Sequence, residues 1–222
     1  MSLYYQDEFV TLYHGDCLTE HREWLEADVL VTDPPYGMAY TGFGGRAGRS
    51  DGSKHSVIVG DADTTIRDKA LAEWHGPALV FGKWSIDRPT LTRQVLIWDK
   101  SENGPGMGAI DLPWGPSFEE VYVIGKGFSG KRESSVYKVK PYTSQDADRP
   151  NHPTPKPPSL MELLVAKCPA GVVADPFAGS GPTLIAAKNL RRQVIGVELD
   201  EGHCETIAKR CAQDVLDFGG VA

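Results

Sequence analysis

Val172-Val173-Ala174-Asp175-Pro176-Phe177-Ala178-Gly179-Ser180-Gly181 sets the frame for the chain. An apolar run reads as a short buried strand, and Asp175 stands at its C-terminal end. Phe177 to Gly181 then makes a glycine-rich turn. Pro182 follows at the first helical position, where its missing N–H costs nothing. That spacing predicts a helix over Pro182–Leu190 and a further strand, Gln193-Val194-Ile195-Gly196-Val197-Glu198, again ending in an acid. A strand–turn–helix–strand unit implies a parallel sheet with ligands at its C-terminal strand ends. Glycines let a ligand approach the backbone closely. Glu198 lies about 20 residues past the turn, where ribose hydroxyls are commonly held. The turn has G-x-G but no third glycine, and Asp175 ahead of it would repel a pyrophosphate. An acid there suits a cationic group such as an amino acid's ammonium. A nucleoside joined to an amino acid is S-adenosylmethionine. A glycine loop of any doubly wound domain is the plain alternative.

Asp33-Pro34-Pro35-Tyr36 follows the apolar run Ala27-Asp28-Val29-Leu30-Val31-Thr32. Two successive prolines stop a strand and fix φ twice. A carboxylate stands before this rigid segment and an aromatic ring after it. Such a loop can hold a planar ligand: the acid and nearby carbonyls accept N–H groups, and the ring stacks. A nucleobase with an exocyclic amino group fits. Read alone, the segment is equally a turn.

Patterning predicts strands at Phe9–Tyr13, Val29–Thr32, Ala78–Phe81, Gln94–Trp98, Glu119–Ile124, Val172–Asp175 and Val194–Glu198. It predicts helices at Leu18–Leu25, Ile66–His75, Pro158–Lys167, Pro182–Leu190 and Glu201–Leu216. In the last, Ile207, Cys211 and Val215 keep one stripe. This order implies a single α/β domain over residues 1–222, a doubly wound, mostly parallel sheet with helices on both faces. Asp16, Asp33, Asp175 and Glu198 all fall at predicted strand ends, so they should converge on one edge. Tyr40 to Lys54 reads as a long mobile loop, and Tyr142 to Pro158 as a linker inside one sheet rather than a domain boundary.

The chain has 222 residues, enough for one α/β domain with a real core, and an ordinary 41% hydrophobic content. No apolar run reaches the about 20 residues of a membrane span, and no signal-peptide pattern opens the chain. Cys17, Cys168, Cys204 and Cys211 have no zinc spacing and read as reduced thiols of a cytoplasmic protein; His203 beside Cys204 reads as incidental. No metal is expected. The net charge of −7 argues against extended coating of a phosphate backbone. Local basic stretches remain: Arg46, Arg49 and Lys54, and a second containing Lys126, Lys131, Arg132, Lys138 and Lys140. Each is a solvated loop or a nucleic-acid contact.

Together the two motifs resemble the DNA amino-methyltransferases that modify adenine N6 or cytosine N4. The family's catalytic pattern, (Asp/Asn/Ser)-Pro-Pro-aromatic, is matched by Asp33 to Tyr36, and its cofactor pattern by Asp175 to Gly181. Catalytic motif first and cofactor motif last is similar to the permuted beta group. Leu12 to Cys17, Val95 to Lys100, Phe118 to Gly127 and His152 to Pro157 resemble further segments of that group. The resemblance runs from about Leu12 to Cys211, with nothing matched over Tyr40–Asp63 and Gly127–Pro150. It divides the domain into a catalytic half, residues 9–127, and a cofactor half, residues 151–217. The unmatched loops, 40–63 and 127–150, are candidates for target recognition.

The resemblance implies a Rossmann-like methyltransferase fold and methyl transfer from S-adenosylmethionine to adenine N6 in DNA, with the base flipped out of the duplex. It implies catalytic roles for Asp33, Pro34, Pro35 and Tyr36: Asp33 and the Pro34 carbonyl accept the amino hydrogens, and Tyr36 stacks on the base. It assigns the cofactor to Asp16, Cys17, Asp33, Lys156, Asp175, Pro176, Phe177, Gly179, Ser180, Gly181 and Glu198. Among these, Lys156 meets the methionine carboxylate, Asp175 its ammonium and Glu198 the ribose. DNA contacts fall to Arg46, Arg49, Lys54, Lys131 and Arg132. An initial Asp goes with adenine in this family and Ser with cytosine, so cytosine N4 is the alternative. RNA or protein-amide methylation, an NAD-dependent oxidoreductase and an inactive DNA-binding homologue stand behind it. A bacterial or phage origin, a homodimer, and a separate restriction endonuclease or specificity partner accompany the resemblance.

Overall fold

The runs at 29–32 and 78–82 lack the apolar–polar alternation of a half-exposed strand, and every residue in both is buried. They form the middle of a sheet covered on both sides. The computed structural model describes residues 2–35, 63–104, 111–143, 145–150, 152 and 154–213. Among these residues the strands are β1 (Leu3–Gln6), β2 (Val10–His14), β3 (Val29–Thr32), β4 (Ala78–Gly82), β5 (Thr92–Asp99), β6 (Phe118–Ile124), β7 (Val136–Lys138), β8 (Val173–Asp175) and β9 (Val194–Glu198). The helices are α1 (Thr65–Glu73), α2 (Pro158–Val165), α3 (Pro182–Asn189) and α4 (Glu201–Ala212).

All nine strands form one sheet in the order β1-β2-β9-β8-β3-β4-β6-β5-β7. The pairings leave only β1 and β6 running against the rest. The last strands of the chain, β8 and β9, sit between β2 and β3, so the N- and C-terminal parts share one sheet. Successive side chains point to opposite faces, which makes two cores. Val29, Val31, Leu79, Phe81 and Val173 join Leu160, Leu164, Leu184 and Ile207 from α2, α3 and α4. Leu30, Ala78, Val80 and Ala174 join Ala70 of α1 with Trp24 and Trp74 on the other face. Among the described residues no helix is long and apolar enough to cross a membrane.

Three expectations change. Leu18–Leu25 is not an α-helix: a 3₁₀ turn covers Glu23–Glu26. The Asp16 carboxylate accepts the Leu18 N–H at 2.7 Å and opens a tight turn, and buried Trp24 donates to the Cys17 carbonyl at 2.9 Å. Strand β1 was not expected; Asp7 Oδ1 accepts the Phe9 and Val10 N–H groups and turns β1 back on β2. Strand β7 lies in the unmatched 127–150 segment, paired with β5 and fastened by the Trp98 indole on the Val139 carbonyl at 2.7 Å. Helix α4 ends at Ala212, and Val215 and Leu216 lie outside the described residues.

Candidate active site

Four neighbouring parallel strands, β2, β9, β8 and β3, each lead into one of the expected acids. Asp16 follows β2, Glu198 closes β9, Asp175 closes β8 and Asp33 follows β3. The register pairs His14 with Glu198 and Leu30 with Ala174, so the ends align on one edge. That convergence is the expected one.

The turn after β8 is built from its own hydrogen bonds. Asp175 Oδ1 accepts the Thr32 hydroxyl at 2.7 Å and the Phe177 N–H at 3.1 Å. Thr32 belongs to β3, so this buried bond ties the glycine turn to the strand that leads into Asp33. Burial pushes the Asp175 carboxyl up to about 6, against the Thr32, Thr183 and Phe177 donors that lower it. Glu198 Oε2 accepts the Gly179 N–H at 2.7 Å, and Oε1 accepts the Asp200 N–H at 2.9 Å. Gly179 and Gly181 have φ of +53° and +79°, a region glycine occupies readily. A Cβ on Gly181 would stand 2.8 Å from Ile207 Cγ1, so this glycine serves helix packing as well as the turn. Pro176 and Ser180 are buried, and Phe177 packs partly into the second core. Cys17 sits in the core behind Asp16, its thiol pushed up to about 12 by burial first and Asp16 second.

Asp33 does not stand alone. The Lys156 ammonium pairs with Asp33 Oδ2 and lies 3.2 Å from Glu119 Oε2. Lys156 is only 2% exposed, and Phe81 lies under it with the ring centroid 5.1 Å away. Lys100 in turn donates to Glu119 at 2.7 Å. Burial works to raise the Glu119 carboxyl, but Lys156 and Lys100 outweigh it and hold it below its ordinary range. Lys156, expected at the methionine carboxylate, has its amine directed at these two acids. Asp33, Lys156, Asp175, Phe177, Gly179 and Thr183 line one small pocket, which brings the two motifs together.

Two histidines join this edge without having been expected there. His203, read from sequence as incidental, lies 3.6 Å from Glu198, which raises its pKa. His152 packs on it at 5.0 Å between ring centroids and covers Gly179. Burial lowers His152 to about 3, with His203, Lys156 and Arg149 adding to the effect. The signal available was position: His203 starts the helix after an acid-ended strand. Among the described residues no cluster of side chains could hold a metal ion, and the four cysteines are buried and free.

The remaining expectations divide. Pro34 is buried and Pro35 half-buried at the edge. Tyr36, Arg46, Arg49, Lys54 and the whole 40–54 loop lie outside the described residues. Lys131 and Arg132 are described, at the end of the sheet opposite Asp33. Their loop leaves β6 at Ile124, which pairs with Ala78, the first residue of β4. Gly125 packs on Pro77, and the Lys131 carbonyl accepts the Lys167 ammonium at 2.7 Å. Because β6 runs antiparallel, its C-terminal loop emerges opposite Asp33.

Residues 97–210, just over half of the chain, match the N6/N4 methyltransferase family described as DNA methylase. The type II methyltransferase M.HinfI of Haemophilus influenzae is 34% identical over 245 aligned residues, covering 90% of this chain and 67% of that protein. The fold is similar to the crystal structure of the M1.HpyAVI–SAM complex, with a TM-score of 0.63, 19% identity, and coverage of 92% of this chain and 100% of that one. It is also similar to PvuII DNA methyltransferase, described as cytosine-N4-specific, with a TM-score of 0.61, 13% identity, and coverage of 96% and 90%. A sheet whose four acid-ended strands bring Asp33 beside the Asp175 turn is thus the sheet of a known family, and this chain belongs to the N6/N4 DNA methylases.

Proposed function

We propose that this protein transfers a methyl group from S-adenosylmethionine to the exocyclic N6 of adenine in DNA. The observation that carries the reading is the Thr32–Asp175 hydrogen bond of 2.7 Å, which joins the strand bearing Asp33 to the glycine turn. The residues fit the cofactor: a buried carboxylate suits an ammonium, and two glycines of positive φ leave the turn open to close approach. In this reading Asp175 holds the methionine ammonium, Glu198 the ribose hydroxyls, Asp16 the adenine amino group, and Phe177 packs on the cofactor. When bound, S-adenosylmethionine supplies an electrophilic methyl on a sulfonium.

The chain's own work is orientation. The amino lone pair of adenine is conjugated into the ring and is a weak nucleophile. Asp33 and the Pro34 carbonyl each accept one amino hydrogen, which favours a pyramidal nitrogen with a freer lone pair. Pro34 and Pro35 fix the backbone that carries both acceptors. Tyr36 stacks on the flipped base. In-line alignment of nitrogen and methyl carbon then supplies much of the acceleration; as the nitrogen–carbon bond forms the methyl–sulfur bond breaks, and the amino nitrogen sheds one proton by way of the Asp33 carboxylate to water.

Adenine is preferred because the catalytic motif opens with Asp33 rather than Ser. Cytosine N4 is the second reading, favoured by the likeness to a cytosine-N4-specific enzyme. Incubation of the protein with S-adenosylmethionine and mixed-sequence DNA, followed by nucleoside analysis, separates them. Thermal shifts with each cofactor test the rest: stabilisation by NAD and none by S-adenosylmethionine would sink the proposal.

A further inference from the structure

We propose that Lys156 is a positioning residue for Asp33, and that Lys100, Glu119 and Lys156 form a row of charges whose task is to hold that carboxylate in place. The inference rests on the reading of Asp33 as the acceptor of the target amino group.

The row alternates in sign. Lys100 meets Glu119 at 2.7 Å, Glu119 meets Lys156 at 3.2 Å, and Lys156 pairs with Asp33. Two ammonium groups therefore balance two carboxylates. Lys156 is 2% exposed, and an ammonium so buried is stable only where opposite charges surround it. The backbone around it is stiff as well: Pro155 and Pro157 flank it, all three are buried, and the Pro157 carbonyl accepts the Leu160 N–H at 3.1 Å as α2 begins. Glu119 is the second residue of β6, held in the sheet by its pairing with Trp98. Asp33 follows directly on Thr32, the last residue of β3, at the C-terminal end of that strand.

A carboxylate at a strand end has free rotamers unless something holds it. The lysine holds Asp33 from the sheet side and so selects the orientation offered to a base. Because the same ammonium also serves Glu119, a residue of β6, its position is tied to the sheet. The arrangement also assigns a role against the alternative. A lysine engaged with two acids beneath the edge contributes little to cofactor affinity, whereas a ligand of the methionine carboxylate would contribute much.

Steady-state kinetics and calorimetry on Lys156→Met test this. The expected result is a fall in kcat of about 30-fold or more, since a misplaced acceptor loses most of its benefit, with the Kd for S-adenosylmethionine within about threefold of the parent. Lys156→Arg should restore part of the lost kcat, because a guanidinium can still pair with Asp33. Glu119→Gln should lower kcat by about three- to tenfold through Lys156 alone. A Kd raised tenfold or more, with kcat at saturating cofactor nearly unchanged, overturns the proposal and returns Lys156 to the cofactor. Should Lys156→Met fail to fold, Glu119→Gln decides: a kcat equal to the parent's also overturns it. If instead Asp33→Ala methylates as well as the parent, the underlying reading of Asp33 fails, not merely its positioning.

Discussion

Replacing Thr32 by Val removes one buried hydroxyl and almost no volume. Thr32 is 1% exposed, and its hydroxyl reaches Asp175 at 2.7 Å, with Asp175 itself 2% exposed. Losing a hydrogen bond to a buried carboxylate is worth about 1.5–3 kcal/mol. The bond favours the charged form, so its loss raises a carboxyl that burial has already pushed up to about 6. The sign follows from the two states. In the unliganded protein the raised carboxyl favours a protonated fold, so its contribution to stability is present at low pH and is lost as pH rises through about 6. Cofactor binding has the opposite slope, because an ammonium needs the ionised carboxylate. Affinity for S-adenosylmethionine should be full above about pH 7 and roughly tenfold weaker at pH 5. In Thr32→Val the fall should begin about one to two pH units higher, which leaves binding at pH 7 about two- to tenfold weaker. Isothermal calorimetry from pH 5 to 8 measures it, and Asp175→Asn should abolish this component, leaving only what His203 beside Glu198 adds. A parent Kd that is flat across this range, or a Thr32→Val profile that overlays it, refutes Asp175 as the ammonium's partner.

Gly181→Ala should destabilise the fold by about 1–3 kcal/mol, read as a lower midpoint in thermal denaturation, because the new Cβ meets Ile207 at 2.8 Å on a backbone of φ +79°. Trp84 and Trp114 are 61% and 79% exposed, on the loops that follow β4 and precede β6 at the Asp33 edge. Replacing either by Ala should weaken DNA binding by about five- to 100-fold, as loss of a base-stacking ring does, with no change in thermal midpoint; unchanged fluorescence-anisotropy titrations would remove these rings from the DNA surface. Lys131→Glu with Arg132→Glu should leave DNA affinity within about twofold of what their charge alone contributes at long range, because the pair sits at the opposite end of the sheet.

Much of the edge was legible because its determinants are local. An apolar run, an acid and then Pro-Pro or a glycine turn specify a strand end without reference to the rest of the chain, which is why Asp16, Asp33, Asp175 and Glu198 were found together. What escaped depends on contacts between distant segments. Lys156 lies 123 residues from Asp33, and nothing in its neighbourhood distinguishes an amine directed at two acids from one directed at a ligand. His203 looked incidental because its partner, Glu198, is exposed as such only once α4 folds back on β9. The place of Lys131 and Arg132 was not legible either, because charge is visible in sequence and strand direction is not; an antiparallel β6 carries their loop to the end opposite Asp33. Strand β7 is three residues long, too short for a period to appear, and exists through its ladder to β5.

The central claim is methylation of adenine N6 with Asp33 as acceptor. Its most direct measurement is nucleoside mass spectrometry of mixed-sequence DNA treated with the protein and S-adenosylmethionine, beside an Asp33→Ala control. The account predicts N6-methyladenine with the parent and a loss of more than about tenfold with the variant, since removing an in-place acceptor costs about 2–4 kcal/mol. N4-methylcytosine in its place, or the same yield from Asp33→Ala, would contradict it.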